Sequence, residues 1–400
     1  MEQTLNPPAR STLAITALAY VPAVLAMMTV GVIVPFIDTL KVDLATSAAQ
    51  LGLAIALFSM PAAVLATVGG GLIDAYGIRR SALFAAAVCA VGSLLASQSH
   101  SLLALDGALL VSGLGFGAMC VVSPCLVMAA LADTARIRAM SFVSTFAPTG
   151  YAAGLLLAVP FAAAGNWRMA LFVHAALMAA AFMALFVFAP ALPVAPGPQQ
   201  EPLRLKLARL LAIFREPRAL LLAVAVALPN AVSYGTSLSA PAYLARVNHL
   251  SIATSSASVA SAKLAAVIIG GFSMGMLLSR VTSPRLLFAA MVALGLAAQA
   301  TLYLAAGGVA LAILALMAWL FAFGGMAGGA MALLPTVASG ATRGGAASGL
   351  INQFISLASF ATPSVWLSLR QGRHFVLLAA VCLLLSLAAL SGAVAAKRAP

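Results

Sequence analysis

Residues 69–81 read GGGLIDAYGIRRS, a run of small residues followed by one acid and two bases. Residues 44–73 before it and 81–105 after it contain no Asp, Glu, Lys or Arg. A chain this apolar breaks its pattern where it meets water, so the stretch reads as the turn between two buried segments.

The composition agrees. Of 400 residues, 64% are hydrophobic and 7% are charged, against roughly a quarter charged in soluble domains. Lipid must solvate such a surface, which makes the chain an integral membrane protein. The long Ala- and Leu-rich runs favour helices over the alternating ten-residue segments of a barrel. The four cysteines (Cys89, Cys120, Cys125 and Cys382) lie inside apolar runs and read as small core residues. Residues 11–37 form one uncharged run. That is longer than a signal-peptide core of roughly 7–15 residues, so it reads as a first membrane span.

A helix needs about 20 apolar residues to cross a bilayer. Division at charges, Pro/Gly breaks and polar clusters gives spans at 13–37, 48–73, 81–98, 103–131, 140–164, 168–190, 219–244, 256–278, 286–305, 309–338, 346–369 and 375–395. Only AAGGV at 305–309 separates the ninth span from the tenth.

The net charge is +13, from 21 basic and 8 acidic residues. With a cytoplasmic N-terminus, fifteen basic residues fall in cytoplasmic segments: Arg10, Arg79, Arg80, Arg136, Arg138, Arg204, Lys206, Arg209, Arg215, Arg218, Arg280, Arg285, Arg343, Lys397 and Arg398. Five fall outside: Lys41, Arg168, Arg246, Arg370 and Arg373. The last, Lys263, lies within the eighth span. This positive-inside asymmetry supports twelve helices with both termini cytoplasmic in a bacterial-type inner membrane. It accounts for the basic balance without nucleic acid.

The long polar interruption at 191–218 separates six spans (1–190) from six (219–400). Its Pro-rich start reads as an extended linker. Leu203, Leu207, Leu210, Leu211 and Phe214 then recur at helical spacing among basic residues, as in an amphipathic helix on an anionic leaflet. The opening stretch has a partial echo, GMLLSRVTSPR at 275–285, at the equivalent end of the eighth span. Similar halves are the mark of a duplicated transporter bundle.

Gly70, Asp74, Gly77, Arg79 and Arg80 together resemble the helix 2–3 loop signature of the major facilitator superfamily, although Ala75 and Ile78 stand where basic residues are usual. The resemblance implies an all-α fold of two pseudo-symmetric six-helix bundles and transport by alternating access. It also implies that Asp74 helps latch the halves on the cytoplasmic side, against the start of the eleventh helix near Arg343, with Asp133 a partner for Arg79 or Arg80. LLVSGLGFGAM at 109–119 resembles the family's fourth helix, with Leu109 where many members carry Arg. Pro148 and Gly150 in STFAPTGYAAG at 144–154 resemble the Pro/Gly-rich fifth helix of drug antiporters without meeting its Gly-Pro…Gly-Gly pattern, GNWRMALF at 165–172 resembles a common start to the sixth, and the region as a whole is weakly similar to cyanate-permease-type members. Gly113 with Gly117, and Gly324 and Gly325 with Gly328 and Gly329, have the spacing of small-residue helix-packing faces.

An ionisable side chain within a membrane span is a functional candidate, because burying its charge costs roughly 3 kcal/mol or more. Lys263, about two turns into a span that begins at 256, suits an anionic solute or an exchangeable proton. His174 reads as a packing residue. No acid falls at mid-membrane, which argues against a pump for cationic drugs. The neutral candidates are Asn230, Ser233 and Tyr234, with Ser237, on the seventh span, then Tyr151 and Thr149 on the fifth, and Asn352 and Gln353 on the eleventh. Pro229 frees a backbone carbonyl beside them.

The expected function is a monomeric secondary transporter of a small organic solute. Uptake of a small anion stands beside efflux of an amphipathic metabolite, siderophore or drug. Coupling to a proton or other ion gradient is compatible with either. No cofactor, metal site or catalytic constellation is expected. A transporter-like sensor would need a large soluble domain, and no stretch reads as one.

Overall fold

The computed structural model describes residues 12–131, 135, 139, 142–143, 145–190, 216–278, 283–305, 307–333, 343–369 and 371–395. Within these, the side chains of 64–75, 272, 275–276, 278, 331–332, 343–349, 352 and 395 are not described. The 191–215 linker with its amphipathic segment, Asp133, Ser279 and both termini lie outside the described residues.

The described chain contains twelve long helices. They are α1 (Thr12–Asp43), α2 (Ala48–Tyr76), α3 (Ile78–Ser97), α4 (Leu102–Ala130), α5 (Phe146–Ala162) and α6 (Trp167–Phe188). The second set is α7 (Pro217–Val247), α8 (Ile252–Leu278), α9 (Pro284–Leu304), α10 (Gly308–Ala332), α11 (Arg343–Ser368) and α12 (Gly372–Ala395). Nine are long and apolar enough over their described residues to cross a membrane. The break in the opening stretch is Gly77, whose φ of 82° lies in the left-handed region open to glycine. Gly308, with φ 76°, likewise breaks the chain at the start of α10. The division at 305–309 therefore stands.

Several ends differ from the sequence reading, the start of the fifth span by six residues (Phe146 against 140), and two have a readable cause. The first span runs on to Asp43 through a single 3-10 turn at Val34–Phe36, where Pro35 interrupts the α-helical ladder. The eighth begins at Ile252, not 256. Its Ser/Thr-rich start looked like a loop, but Ser251 accepts the Thr254 backbone N–H at 3.0 Å and the Ser258 hydroxyl returns to the Thr254 carbonyl at 2.9 Å. Lys263 is thus about three turns deep rather than two.

The packing repeats itself. Within the first half, α1 packs on α4, α5 and α6, α4 packs on α2 and α3, and α3 packs on α6. In the second half, α7 packs on α10, α11 and α12, α10 on α8 and α9, and α9 on α12, which is the same scheme shifted by six helices. The main contacts between halves, α2 on α11 and α5 on α8, also exchange under that shift. Small residues permit the close crossings. A methyl at Gly154 of α5 would overlap the Met28 carbonyl of α1, and Gly324 and Gly328 of α10 face Gly271 of α8.

The two faces of the bundle differ. One carries the α2–α3 turn at Gly77. The other carries the α5–α6 turn at Gly165 and the α7–α8 turn. Near the Gly165 face, Gly52 of α2 backs onto the Pro363–Ser364 backbone of α11, and the Val34–Phe36 turn touches α7 and α8. One apolar cluster, which extends through the second half, includes Val34, Phe36 and Leu155 of the first half together with Leu238, Leu244 and Val259 of the second. The two other clusters, around Ala23 with Met119 and around Ile15 with Leu126, are built from first-half residues alone.

Candidate functional site

The site grows from PNAVSYGTSLSAP, residues 229–241 of α7. Asn230, Ser233, Tyr234 and Ser237 are spaced i, i+3, i+4 and i+7, which aligns them along one stripe of the helix. Prolines bracket the stripe. Each lacks an N–H, so each leaves the carbonyl four residues earlier without its helical donor. Pro229 frees the Ala225 carbonyl, and the Ser386 hydroxyl of α12 donates to it at 2.7 Å. Pro241 frees the Ser237 carbonyl, and the Tyr151 hydroxyl of α5 donates to that one. The second donor comes from the other half of the molecule.

Ser237 has a second role. Its hydroxyl accepts from Lys263 Nζ of α8 at 2.7 Å and donates to the Ser233 carbonyl at 2.6 Å. Lys263 Nζ also sits over the Tyr151 ring, 4.3 Å from the centroid. The three residues form a closed triangle drawn from α5, α7 and α8, two of its sides between side chains and the third to the Ser237 carbonyl. Lys263 is 7% exposed, Tyr151 0% and Ser237 2%. Among the described residues, the ion pairs are Lys41–Asp38 at 2.6 Å and Arg168–Asp43 at 3.6 Å. Both lie towards the Gly165 face. No carboxylate among those residues pairs with Lys263, so its ammonium is held by a hydroxyl and an aromatic ring. A desolvated ring contact of this kind contributes about 2 kcal/mol.

The remaining α7 groups reach two further helices. Asn230 Nδ2 donates to Ser359 Oγ of α11 at 3.2 Å. Tyr234 is buried, with its hydroxyl beside Ser59 of α2 but meeting no acceptor at hydrogen-bond geometry. One stripe therefore touches α2 and α5 of the first half and α8 and α11 of the second, the four helices where the halves meet.

The other expected residues fall elsewhere. Thr149 accepts from the Tyr20 hydroxyl of α1 at 2.8 Å, inside the first half. Gln353 is half-buried on α11, and the neighbouring Asn352 lies outside the described side chains. Gly70 and Asp74 occupy the last two turns of α2, and their side chains also lie outside the description. Arg79 donates to the Phe186 carbonyl at the end of α6 at 2.6 Å and lies 5.9 Å from the Phe186 ring. Pro190 leaves that carbonyl without a helical donor, so Arg79 braces one half internally. Arg80 is exposed. His174 is fully buried and bonded to the Leu25 carbonyl at 2.7 Å, as a packing residue should be. Arg168 is tied to Asp43, to the Ser99 carbonyl at 3.1 Å and to the Trp167 ring at 4.1 Å, which is a structural role.

Sequence reading missed Ser359 and the destination of the Tyr151 hydroxyl. The signal for the second was present, because Pro241 lies four residues after Ser237.

A twelve-helix membrane bundle of two equivalent halves, with a polar stripe where they meet, defines a polytopic solute carrier. The family model of the Major Facilitator Superfamily matches residues 19–363, and the chain belongs to that family. It is a membrane transporter of a small molecule and not an enzyme. No curated protein sequence matches it. Among solved structures it is similar to the nucleoside transporter NupG, at 13% identity and a TM-score of 0.75, covering 97% of this chain and 99% of that one. It is also similar to a bacterial homologue of the human lysosomal transporter Spinster, at 15% identity and a TM-score of 0.71, covering 96% and 94%. At these identities the likeness concerns the fold.

A buried cation held without a carboxylate costs folding stability. Lys263→Met, which keeps the apolar stem and removes the charge, is expected to stabilise the folded protein by about 1 kcal/mol or more. Thermal unfolding in detergent checks this. A variant less stable than the parent would show that the ammonium is fully compensated.

Proposed function

We propose that the protein is a secondary transporter that carries a small organic anion by alternating access, with the α7 stripe and Lys263 as its binding surface. The observation that supports this most strongly is the Lys263 ammonium. It is a buried cation at the meeting of the two halves, with a hydroxyl and a ring as partners and three N–H donors to offer. A carboxylate or similar group of the solute would supply the missing counter-charge. Asn230, Ser233 and Tyr234 supply neutral hydrogen-bonding groups for the rest of the molecule. The site takes residues from both halves of one chain, which fits a monomeric carrier.

The proposed orientation puts the Gly77 face in the cytoplasm of a bacterial-type inner membrane, on the strength of the excess of basic residues in the segments at that end. Asp74 is proposed to act at that face as part of the cytoplasmic latch. Uptake is the favoured direction. The acids in the spans (Asp38, Asp43, Asp74 and Asp106) lie near helix ends and the binding charge is positive, an arrangement suited to drawing in an anion rather than expelling a cationic drug. A proton or other ion gradient is the proposed energy source.

A maleimide that cannot cross membranes should label Leu205→Cys in inside-out vesicles and not in intact cells. Labelling in intact cells would reverse the orientation. Untargeted metabolite profiling of medium and cells should compare a deletion strain with strains complemented by the parent or by Lys263→Met. The compound that shifts is expected to be an anion, restored by the parent and not by the variant. A neutral or cationic compound, or full restoration by Lys263→Met, would reject the anion reading.

A further inference from the structure

We infer that Pro241 is a positioning residue of the transport cycle: by freeing the Ser237 carbonyl it creates the catch that the Tyr151 hydroxyl engages to hold the Gly165 face shut. The inference rests on the alternating-access reading above and names the part that moves.

The sequence makes the arrangement specific. In an unbroken helix the N–H of residue 241 would bond the Ser237 carbonyl along the helix axis, and a partner in the other half would have only the second lone pair, on an oxygen already satisfied. Proline removes that N–H and leaves the acceptor permanently available in a segment that water does not solvate. Pro229 has the same effect one stripe-length earlier, but there the donor, Ser386, belongs to the same half. That bond can persist while the halves move against each other. The Tyr151 bond cannot, because its partners lie on α5 and α7. Of these two proline-freed carbonyls, one is a fixed joint and the other a separable one.

The same movement affects Lys263. Its ammonium rests on the Tyr151 ring and the Ser237 hydroxyl, so withdrawal of Tyr151 removes one of its two partners. An anionic group bound to Lys263 offsets that loss, which links solute binding to release of the catch. Towards the Gly165 face, Phe36 and Leu155 of the first half share one apolar cluster with Leu238 and Val259 of the second. Ser256 of α8 lies at this level, seven residues before Lys263 and so on the same face of the helix. It is fully buried, and its hydroxyl meets no partner at hydrogen-bond geometry. It is a natural reporter, since a thiol placed there meets a water-borne reagent only when that face opens.

The test is a four-way comparison on a background without Cys89, Cys120, Cys125 and Cys382 and carrying Ser256→Cys. The proteins are the parent, Tyr151→Phe, Pro241→Ala and the double variant, all in lipid nanodiscs, where an N-substituted maleimide reaches both faces. Two readouts are taken, labelling rate and thermal midpoint. Tyr151→Phe keeps the ring and removes the donor. It should label about tenfold faster, the factor that one net hydrogen bond commands, and should unfold at a lower temperature because a buried carbonyl is left unpaired. Pro241→Ala restores an N–H that competes for the carbonyl, and should also label faster. In the double variant the carbonyl is satisfied within α7, so thermal stability recovers towards the parent while labelling stays fast. A purely structural bond would let both readouts recover together, and that result would overturn the assignment. Equal labelling rates in all four proteins would overturn it too. Either outcome leaves the metabolite profile of the Lys263 variant as a separate test of the anion reading.

Discussion

A bilayer supplies no hydrogen bonds, so a helix that crosses it must satisfy each backbone carbonyl from within the protein. Pro241 breaks that rule at the Ser237 carbonyl, and the candidate site follows from the repair. An unpaired buried acceptor costs about 1–3 kcal/mol. Tyr151 removes the deficit by reaching across from the other half. Once there, its ring offers a seat for the Lys263 ammonium, and the Ser237 hydroxyl offers the second. One missing N–H thereby gathers three helices, two halves and the buried charge in one place.

The fold makes that gathering possible through its repetition. Each half packs its six helices by the same scheme, and the halves meet through equivalent pairs, α2 with α11 and α5 with α8. Glycines allow these crossings. Gly154 lets α5 lie against α1, which fixes Tyr151 three residues earlier on the helix. Gly52 lets α2 lie against α11 near the Gly165 face. The apolar surface left outside faces lipid, and the polar stripe of α7 is left inside, where it touches both halves.

Much of this was legible in the sequence, and the reasons differ by element. The spans were readable because a membrane demands about 20 apolar residues at a time, and Gly77 and Gly308 marked breaks that tolerate a positive φ. The start of α8 was not readable by composition, since serines that cap a helix look like serines in a loop. That error placed Lys263 one turn too shallow. The α7 stripe was readable from its period, and Lys263 from the rarity of charge. That the Tyr20 hydroxyl bonds Thr149 was not readable, because periodicity on α5 does not say which helix lies against it. Partners between helices, such as Ser359 for Asn230 and Tyr151 for Ser237, depend on packing, and one sequence carries little information about which face meets which.

The central claim is that a cross-half contact at Ser237 governs the closure of the Gly165 face. Pulsed electron paramagnetic resonance between spin labels at Ala163→Cys and Ser251→Cys, at the ends of α5 and α8 on that face, measures the closure directly. The account predicts one short-distance population in the parent and an added longer one in Tyr151→Phe. Superimposable distance distributions in the two proteins would contradict it.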